Sequence, residues 1–279
     1  MISERSNLMR RFKSVLACDV GNSRIALGSV VDEKVTYRRD VPVEQSDKLS
    51  EILEEVFDKC EKPIIAACSV QPEYFKLLES AVKEKLNQEV LLVGRDLPLP
   101  MKTALAEPER IGTDRLCSAA MAYHRLGGAC VVADFGTAIT IDCVDDDGTF
   151  LGGAILPGLR MSADALASGT ALLPKVQLEK PDWIIGTDTR RAIIAGIISA
   201  ARGALRWLTE AYATELGHWP EVIVTGGDAE LVIADLQDVV HAVVPDLCLM
   251  GVALAALKLS LIHISEPTRP LYISYAVFC

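Results

Sequence analysis

The order of apolar and polar residues divides the first half of the chain into alternating strands and helices. Three strands are predicted at residues 15–20, 24–31 and 34–40. Apolar residues then recur at helical spacing from Leu49 to Cys60, and we expect Ser46 and Asp47 to cap this helix. The elements that follow are a strand at 63–67, a helix at 72–87, a strand at 90–93 and a helix from about Thr113.

The second half of the chain repeats this order. Strands are predicted at 129–134, 137–144, 149–155, 221–225 and 239–244, and helices at 158–168, 187–213, 228–236 and 246–258. Each half therefore shows three strands followed by alternating helices and strands. Such a repeat indicates an internal duplication and predicts an α/β protein with a mixed sheet in each half.

Two short stretches carry the repeat at the level of single residues. They read LACDVGNSRIALGSV and VVADFGTAITIDCV, and in each an apolar strand ends in aspartate, a glycine follows two residues later, and a second strand begins. These aspartates are Asp19 and Asp134. One such turn alone is best interpreted as an ordinary hairpin, whereas two at matching places favour a shared function.

Paired turns of this composition suit the binding of a polyphosphate between two domains. Their backbone N–H groups and the hydroxyls of Ser23 and Thr137 can donate hydrogen bonds to phosphate, and glycine allows close approach. A carboxylate at the end of a buried strand is costly unless it has a partner, and a cation is the partner we expect for Asp19 and Asp134.

Composition narrows the class of partner. The 279-residue chain has a formal net charge of -10 and no basic run, which argues against nucleic acid as a partner and favours small molecules. Its 8 cysteines include no Cys-x-x-Cys pair, and its 4 histidines are scattered, which favours reduced thiols over a disulfide frame or zinc site. We predict a cytoplasmic protein with no membrane span and a polar leader at residues 1–13.

The motifs of this sequence, taken together, resemble the type III pantothenate kinases of the actin and sugar kinase superfamily. They are DVGNS from Asp19, GTDR from Gly112, DFGTAITIDCVDDDGTFLGGAILPGLRMSADAL from Asp134, IGTDT from Ile185 and TGGD from Thr225. The resemblance implies duplicated ribonuclease-H-like (actin-like ATPase) domains at residues 14–126 and 127–258, with the active site in the cleft between them. It further implies phosphorylation of pantothenate by ATP with Mg²⁺, and a homodimer.

The same resemblance assigns roles to single residues. It makes Asp114 the base that accepts the proton of the pantothenate hydroxyl, Asp134 the ligand of a monovalent cation (K⁺ or NH₄⁺), and Asp19 a ligand of Mg²⁺ through water. Pantothenate-binding residues are expected to be Gly112, Thr113, Asp114, Arg115 and Thr189. ATP-binding residues are expected to be Asp19, Val20, Gly21, Asn22, Ser23, Arg24, Gly136, Thr137, Gly226 and Gly227.

Each of these motifs also has a purely structural interpretation. Thr113 or Asp114 can cap the helix that begins there, Thr189 can cap the long helix that follows it, and the glycines at 226 and 227 can serve only a turn. Leu105 stands where the family usually has an aromatic residue, so a substrate contact is expected to be missing. The alternatives are therefore a sugar or small-alcohol kinase of the same fold, or a regulatory relative without catalysis.

The end of the chain differs from the rest. The stretch LSLIHISEPTR, from Leu259 to Arg269, reads as one translation frame of a common sequencing adapter. We expect residues 259–279 to be a non-native tail, and the alternative is a genuine short extension.

Overall fold

The structure is a computed structural model that describes residues 14–265, with side chains described as far as Lys258. Two sheets form its frame. The strands of the first sheet are β1 (Ser14–Val20), β2 (Arg24–Val31), β3 (Lys34–Pro42), β4 (Pro63–Ser69) and β5 (Leu91–Leu92). Those of the second are β6 (Lys102–Thr103), β7 (Cys130–Phe135), β8 (Ala138–Val144), β9 (Thr149–Pro157), β10 (Glu221–Thr225) and β11 (Ala242–Val243).

The two sheets have matching topologies. The first runs in the order β3-β2-β1-β4-β5, and the second in the order β11-β10-β7-β8-β9-β6. In each, a three-stranded antiparallel meander is followed by a parallel neighbour on its other side, β4 beside β1 and β10 beside β7. The duplication predicted from the sequence is therefore present in the strand order, and β6 is the one strand added to it.

Seven α-helices cover these sheets within the described residues. They are α1 (Leu49–Phe57), α2 (Pro72–Leu86), α3 (Thr113–Leu126), α4 (Leu159–Gly169), α5 (Thr189–Leu216), α6 (Ala229–Val232) and α7 (Leu247–Ser265). Apolar faces of α1 and α2 pack on the first sheet around Leu53 and Leu78, and α5 packs on the second around Ile194 and Leu205. Amphipathic spacing thus gives each half its own core.

Helices α3 and α7 lie between the two halves and belong to the core of both. Cys117 of α3 and Val252 of α7 pack with β1, whereas Leu116 of α3 and Leu254 of α7 pack with β7. The two helices touch closely, because a side chain at Gly251 would collide with the backbone of α3. Since α7 packs on the first sheet and β6 joins the second, the division of the chain between residues 126 and 127 stays a prediction.

Several local predictions were wrong. Ser46 and Asp47 do not cap α1, because residues Val43–Lys48 form a 3-10 helix that leads into it without a side-chain cap. The helix predicted at 228–236 is α6 followed by a 3-10 turn at Ile233–Asp235. The strand predicted at 239–244 pairs only over β11, and β6 was not predicted.

Helix α5 is long and apolar enough, by length and composition, to cross a membrane. Its buried residues nevertheless pack in the core of the second half, and Arg202 on its other turns donates to the carbonyl of Val232 at 2.8 Å. A core helix passes the same test, so the absence of a span stays a prediction. The predicted leader at 1–13 and residues 266–279 of the predicted tail lie outside the described residues.

Candidate functional site

The first of the two turns joins β1 to β2 and carries Asp19 at its start. The N–H of Gly21 donates to the carbonyl of Arg24 at 3.0 Å and closes the turn. Within the described part of the chain, the N–H groups of Asn22 and Ser23 make no hydrogen bond. Unpaired backbone donors at an exposed turn are what an anion needs, so the glycine shapes the turn and its neighbours offer the donors.

The second turn joins β7 to β8 and is also closed by a glycine N–H, but it is one residue shorter than the first. The N–H of Gly136 donates to the carbonyl of Ala138 at 3.1 Å, while the N–H of Thr137 has no hydrogen bond among the residues described. Asp134 stands at the end of β7, as Asp19 does at the end of β1. The predicted similarity of the two turns therefore extends to their backbone hydrogen bonding.

The two turns meet. The hydroxyls of Ser23 and Thr137 lie 2.8 Å apart and are hydrogen-bonded, although the residues are far apart in sequence and both are exposed. This contact brings the unpaired N–H groups of both turns to one place. A triphosphate bound there can accept hydrogen bonds from both halves of the chain.

Asp114 lies in the first turn of α3 and faces the same cleft. Neither Thr113 nor Asp114 caps this helix, because Gly112 occupies the capping position. Instead the Thr113 hydroxyl accepts from the N–H of Ser69 at 3.1 Å and contacts its carbonyl at 3.3 Å, which ties α3 to the end of β4. The Asp114 carboxylate accepts from the adjacent N–H of Arg115 at 2.8 Å and is otherwise bonded only to its own backbone N–H among the contacts described.

Asp19, Asp114 and Asp134 form what we call the three-aspartate cleft. Burial, and then repulsion from Asp114, raises the pKa of Asp19 to about 6. Burial, and then repulsion from Asp19 and Asp114, raises the pKa of Asp134 to about 7. Burial likewise raises the pKa of Asp114. Because the pKa of Asp19 responds to Asp114, and the pKa of Asp134 responds to both Asp19 and Asp114, the three carboxylates lie in one cleft.

Arg115 is held by a residue that sequence reasoning missed. Its Nε donates to both carboxylate oxygens of Asp142, at 3.2 and 3.1 Å, and its Nη2 also bonds to that carboxylate. Asp142 is 1% exposed, so this is a buried ion pair. The signal was present in the sequence as a lone carboxylate within the apolar strand β8. The N–H groups of Nη1, and the second N–H of Nη2, are left for a substrate.

Gly226 and Gly227 follow β10 and lie against the second turn. Gly226 has φ +98, and a Cβ there would stand 2.5 Å from the Asp134 carboxylate and from the Phe135 backbone. The N–H of Asp228 donates to the carbonyl of Phe135 at 3.0 Å. A Cβ at Gly227 would lie 3.5 Å from Nη1 of Arg24, so this loop reaches from the second turn to the first.

Thr189 is not brought to this cleft by any contact in the described part of the chain. It is exposed at the start of α5, where Asp188 rather than Thr189 is the cap, accepting from the N–H of Arg191 at 2.9 Å. Thr189 instead lines an apolar cavity of about 900 Å³ between α4 and α5. Leu105 packs beside Gly152, whose added Cβ would stand 3.2 Å from it.

Two cysteines beside Asp19 were also missed. The Cys68 thiol donates to the Asp19 carboxylate at 3.4 Å, and its sulfur lies 3.4 Å from that of Cys248. Cys68 stands directly across from Asp19 in the parallel pairing of β1 with β4. That register is a long-range feature, so no local pattern in the sequence could have revealed it.

The family model and the most similar curated proteins all point to the same family. The sequence model of the type III pantothenate kinases matches residues 15–211. A type III pantothenate kinase of Agathobacter rectalis is 32% identical over 253 residues, or 88% of this chain and 97% of that protein. One of Legionella pneumophila strain Paris is 35% identical over 254 residues, or 87% of this chain and 98% of that protein.

Solved structures agree on the fold. The chain is similar to a Baf family transcriptional activator from Campylobacter jejuni, with TM-score 0.54 at 20% identity, covering 90% of this chain and 98% of that one. It is also similar to MreB5 of Spiroplasma citri, with TM-score 0.50 at 11% identity, covering 91% and 99%. At these identities the likeness concerns the fold alone, and it confirms the predicted actin-like architecture.

Proposed function

The chain belongs to the type III pantothenate kinase family, and we propose that the three-aspartate cleft is where it acts. Its activity is the ATP-dependent phosphorylation of pantothenate in the biosynthesis of coenzyme A. The observation that carries the assignment to this cleft is the hydrogen bond between Ser23 and Thr137, 2.8 Å long. It places the donors of two separate turns where one polyphosphate can reach both.

The nucleotide is bound, in this proposal, by the two turns and the glycine loop. The unpaired N–H groups of Asn22, Ser23 and Thr137 bind phosphate oxygens, and the two hydroxyls exchange their mutual hydrogen bond for bonds to phosphate. Gly226 and Gly227 provide a surface without side chains against which the nucleotide packs. Asp19, Val20, Gly21, Arg24 and Gly136 complete the proposed ATP site.

Cations are needed because the cleft is acidic and its ligand is also anionic. The carboxylates of Asp19 and Asp134 are oxygen donors of the kind that Mg²⁺ and K⁺ prefer, and both are partly buried without a basic side chain in hydrogen-bond contact among the described residues. Asp19 would hold Mg²⁺ through water, and Asp134 would hold K⁺ or NH₄⁺. Bound cations supply charge compensation for the phosphates during transfer.

Asp114 is the proposed general base. Phosphoryl transfer needs the acceptor hydroxyl to be oriented in line with the γ-phosphate, and one carboxylate suffices for this. Asp114 has few partners of its own, so its second oxygen is available to accept the hydroxyl proton of pantothenate. Arg115, held by Asp142, would bind a polar group of pantothenate through Nη1, with Gly112 and Thr113 shaping the pocket.

Thr189 contributes to the pantothenate site in this proposal through a homodimer. Its position on the cavity between α4 and α5, without a described contact to the cleft, fits a role towards a second copy of the chain. Sedimentation analysis tests the dimer, and coexpression of Thr189→Ala with Asp114→Asn tests the sharing. If the mixed protein is more active than the two separate variants predict, the site is shared between subunits. If its activity is only what the separate variants add up to, a shared site is contradicted.

The experiment that tests the function is a phosphorylation assay with purified protein, ATP and Mg²⁺, with K⁺ present or omitted. Pantothenate and a panel of hexoses serve as acceptors. We expect turnover with pantothenate only, and faster turnover with K⁺. If a hexose is phosphorylated and pantothenate is not, the result would support the sugar kinase alternative. If the protein binds nucleotide but phosphorylates no acceptor, the result would support a regulatory role. A cytoplasmic location belongs to the same proposal.

A further inference from the structure

Three cysteines converge behind the first turn. Cys68 comes from β4, Cys248 from the start of α7 and Cys117 from α3. The sulfurs of Cys68 and Cys248 are 3.4 Å apart, and Cys117 packs in the same core cluster. No bond in the proposed phosphoryl transfer uses them. They are linked to the active site through Cys68, whose thiol contacts Asp19 at 3.4 Å.

The donor atoms have the spacing of a metal site. One carboxylate oxygen of Asp19 and the sulfurs of Cys68 and Cys248 all lie within 4.8 Å of one another. Tetrahedral coordination with metal–sulfur bonds of about 2.3 Å places neighbouring ligand atoms about 3.8 Å apart. The two contacts of 3.4 Å are close to that value, so small side-chain rotations are enough to surround an ion.

We propose that Asp19, Cys68 and Cys248 form a binding site for a thiophilic divalent cation such as Zn²⁺ or Cd²⁺. Thiolates select such ions over Mg²⁺, which prefers oxygen ligands. On binding, the S–H bonds of Cys68 and Cys248 break, two metal–sulfur bonds form and two protons pass to solvent, with no change of oxidation state.

The site connects to the cleft and competes with its function. Asp19 is partly exposed at the end of β1, which gives an ion a route of entry. An ion held by two sulfurs and Asp19 takes that carboxylate away from Mg²⁺ and ATP. Bound Zn²⁺ therefore inhibits the enzyme, a consequence that rests on the proposed function, whereas the binding itself does not.

The binding test uses the reduced full-length protein without nucleotide or Mg²⁺. Cd²⁺ is added to equimolar amount, and the ultraviolet thiolate-to-cadmium charge-transfer absorption and the release of protons are recorded. We expect a stoichiometric signal from the unaltered protein and from Cys60→Ala, a control in which a partly buried thiol outside the cluster is removed. Cys68→Ala and Cys248→Ala should each weaken apparent affinity at least ~10-fold, and the double variant should give no signal.

Two results overturn the proposal: no charge-transfer signal from the reduced unaltered protein, or an undiminished signal from the double variant. If the double variant does not fold, Cys248→Ala decides, because it removes one thiolate ligand and leaves Cys68 beside Asp19 in place. Inhibition by Zn²⁺ at fixed free Mg²⁺ and ATP is then measured and should be relieved by a chelator. Inactive protein that still binds Cd²⁺ would contradict the proposed function alone.

Discussion

The first and second turns are alike in the hydrogen-bond donors that they expose, but they differ in what lies behind their aspartates. On the side of the proposed nucleotide site, both have a glycine N–H closing the turn, at least one unpaired N–H beyond it and a hydroxyl. Behind the carboxylate they differ. Asp134 is backed by the backbone of the Gly226 loop, which leaves no room for a side chain, whereas Asp19 is backed by the thiols of Cys68 and Cys248.

This difference indicates what the duplication has kept. Binding phosphate requires free backbone donors in a fixed turn, and both halves keep such a turn although the second is one residue shorter. The surroundings of each carboxylate decide which cation it holds, and there the halves have diverged. In order of decreasing expected effect, the predictions concern the proposed base Asp114, the glycine loop at Gly226 behind the second turn, and the two turn carboxylates. The last concerns the contact between the two turns.

The largest effect is expected at Asp114, the proposed general base, which lies in the same cleft as the aspartates of both turns. Asp114→Asn keeps the shape of the side chain but removes a base, so turnover should fall at least ~100-fold while ATP binding persists. Steady-state kinetics and calorimetric titration with ATP measure the two effects. Near-normal turnover would remove Asp114 from this role, and loss of ATP binding would show that it acts elsewhere in the site.

The support of the second turn should fail when Gly226 acquires a side chain. Its φ of +98 and the 2.5 Å approach to Phe135 make Gly226→Ala costly, by roughly 1–3 kcal/mol from backbone strain alone. Gly227→Ala is the matched control, because its Cβ would meet only the Arg24 guanidinium at 3.5 Å. Urea unfolding compares them, and equal stability of the two variants would contradict this account.

The two carboxylates should differ in how they link stability to pH. Because the pKa values of Asp19 and Asp134 are raised in the folded protein, the folded state keeps protons that the unfolded state has already lost. Ligand-free stability should therefore fall as pH rises from about 4, by at most ~1.4 kcal/mol per pH unit for one proton. The fall should continue to about pH 6 for Asp19 and about pH 7 for Asp134.

Unfolding measurements from pH 4 to 8 check this linkage. Asp134→Asn should remove the part of the slope that reaches about pH 7, and Asp19→Asn the part that ends near pH 6. Added K⁺ should stabilise the unaltered protein more at pH 8 than at pH 5, because it binds the ionised carboxylate. A slope unchanged in both variants would contradict the burial of these carboxylates.

The smallest effect is expected from the contact between the turns. Ser23→Ala and Thr137→Ala each remove one partner of an exposed hydrogen bond, which should cost ~0.5–1 kcal/mol in stability. A double-mutant cycle on unfolding should show a coupling of that size, while ATP affinity falls in each single variant. Strictly additive changes would mean that the two turns do not meet in solution.

Local patterns predicted the features that depend on nearby residues. The hairpins around Asp19 and Asp134 and the helix that begins at Thr113 are set by turn chemistry and periodicity within short windows. Family resemblance then supplied the roles, and the family, the fold and the kinase activity are confirmed by the comparisons. The assignment of individual site residues stays a prediction.

Features that depend on distant pairings could not be predicted. Strand β6 pairs over two residues with β9, which is too short for any periodic signal. The Arg115–Asp142 ion pair and the cysteine cluster depend on which strands are neighbours and in which register. The wrong cap at Ser46 has a local cause, because the chain enters α1 through a 3-10 turn that satisfies its own backbone.

A structure of the protein with a non-hydrolysable ATP analogue, Mg²⁺ and K⁺ tests the central claim most directly. We predict phosphate oxygens within hydrogen-bond distance of the N–H groups of both Ser23 and Thr137, with the terminal phosphate facing Asp114. A nucleotide bound to one turn alone, or outside the three-aspartate cleft, would contradict it.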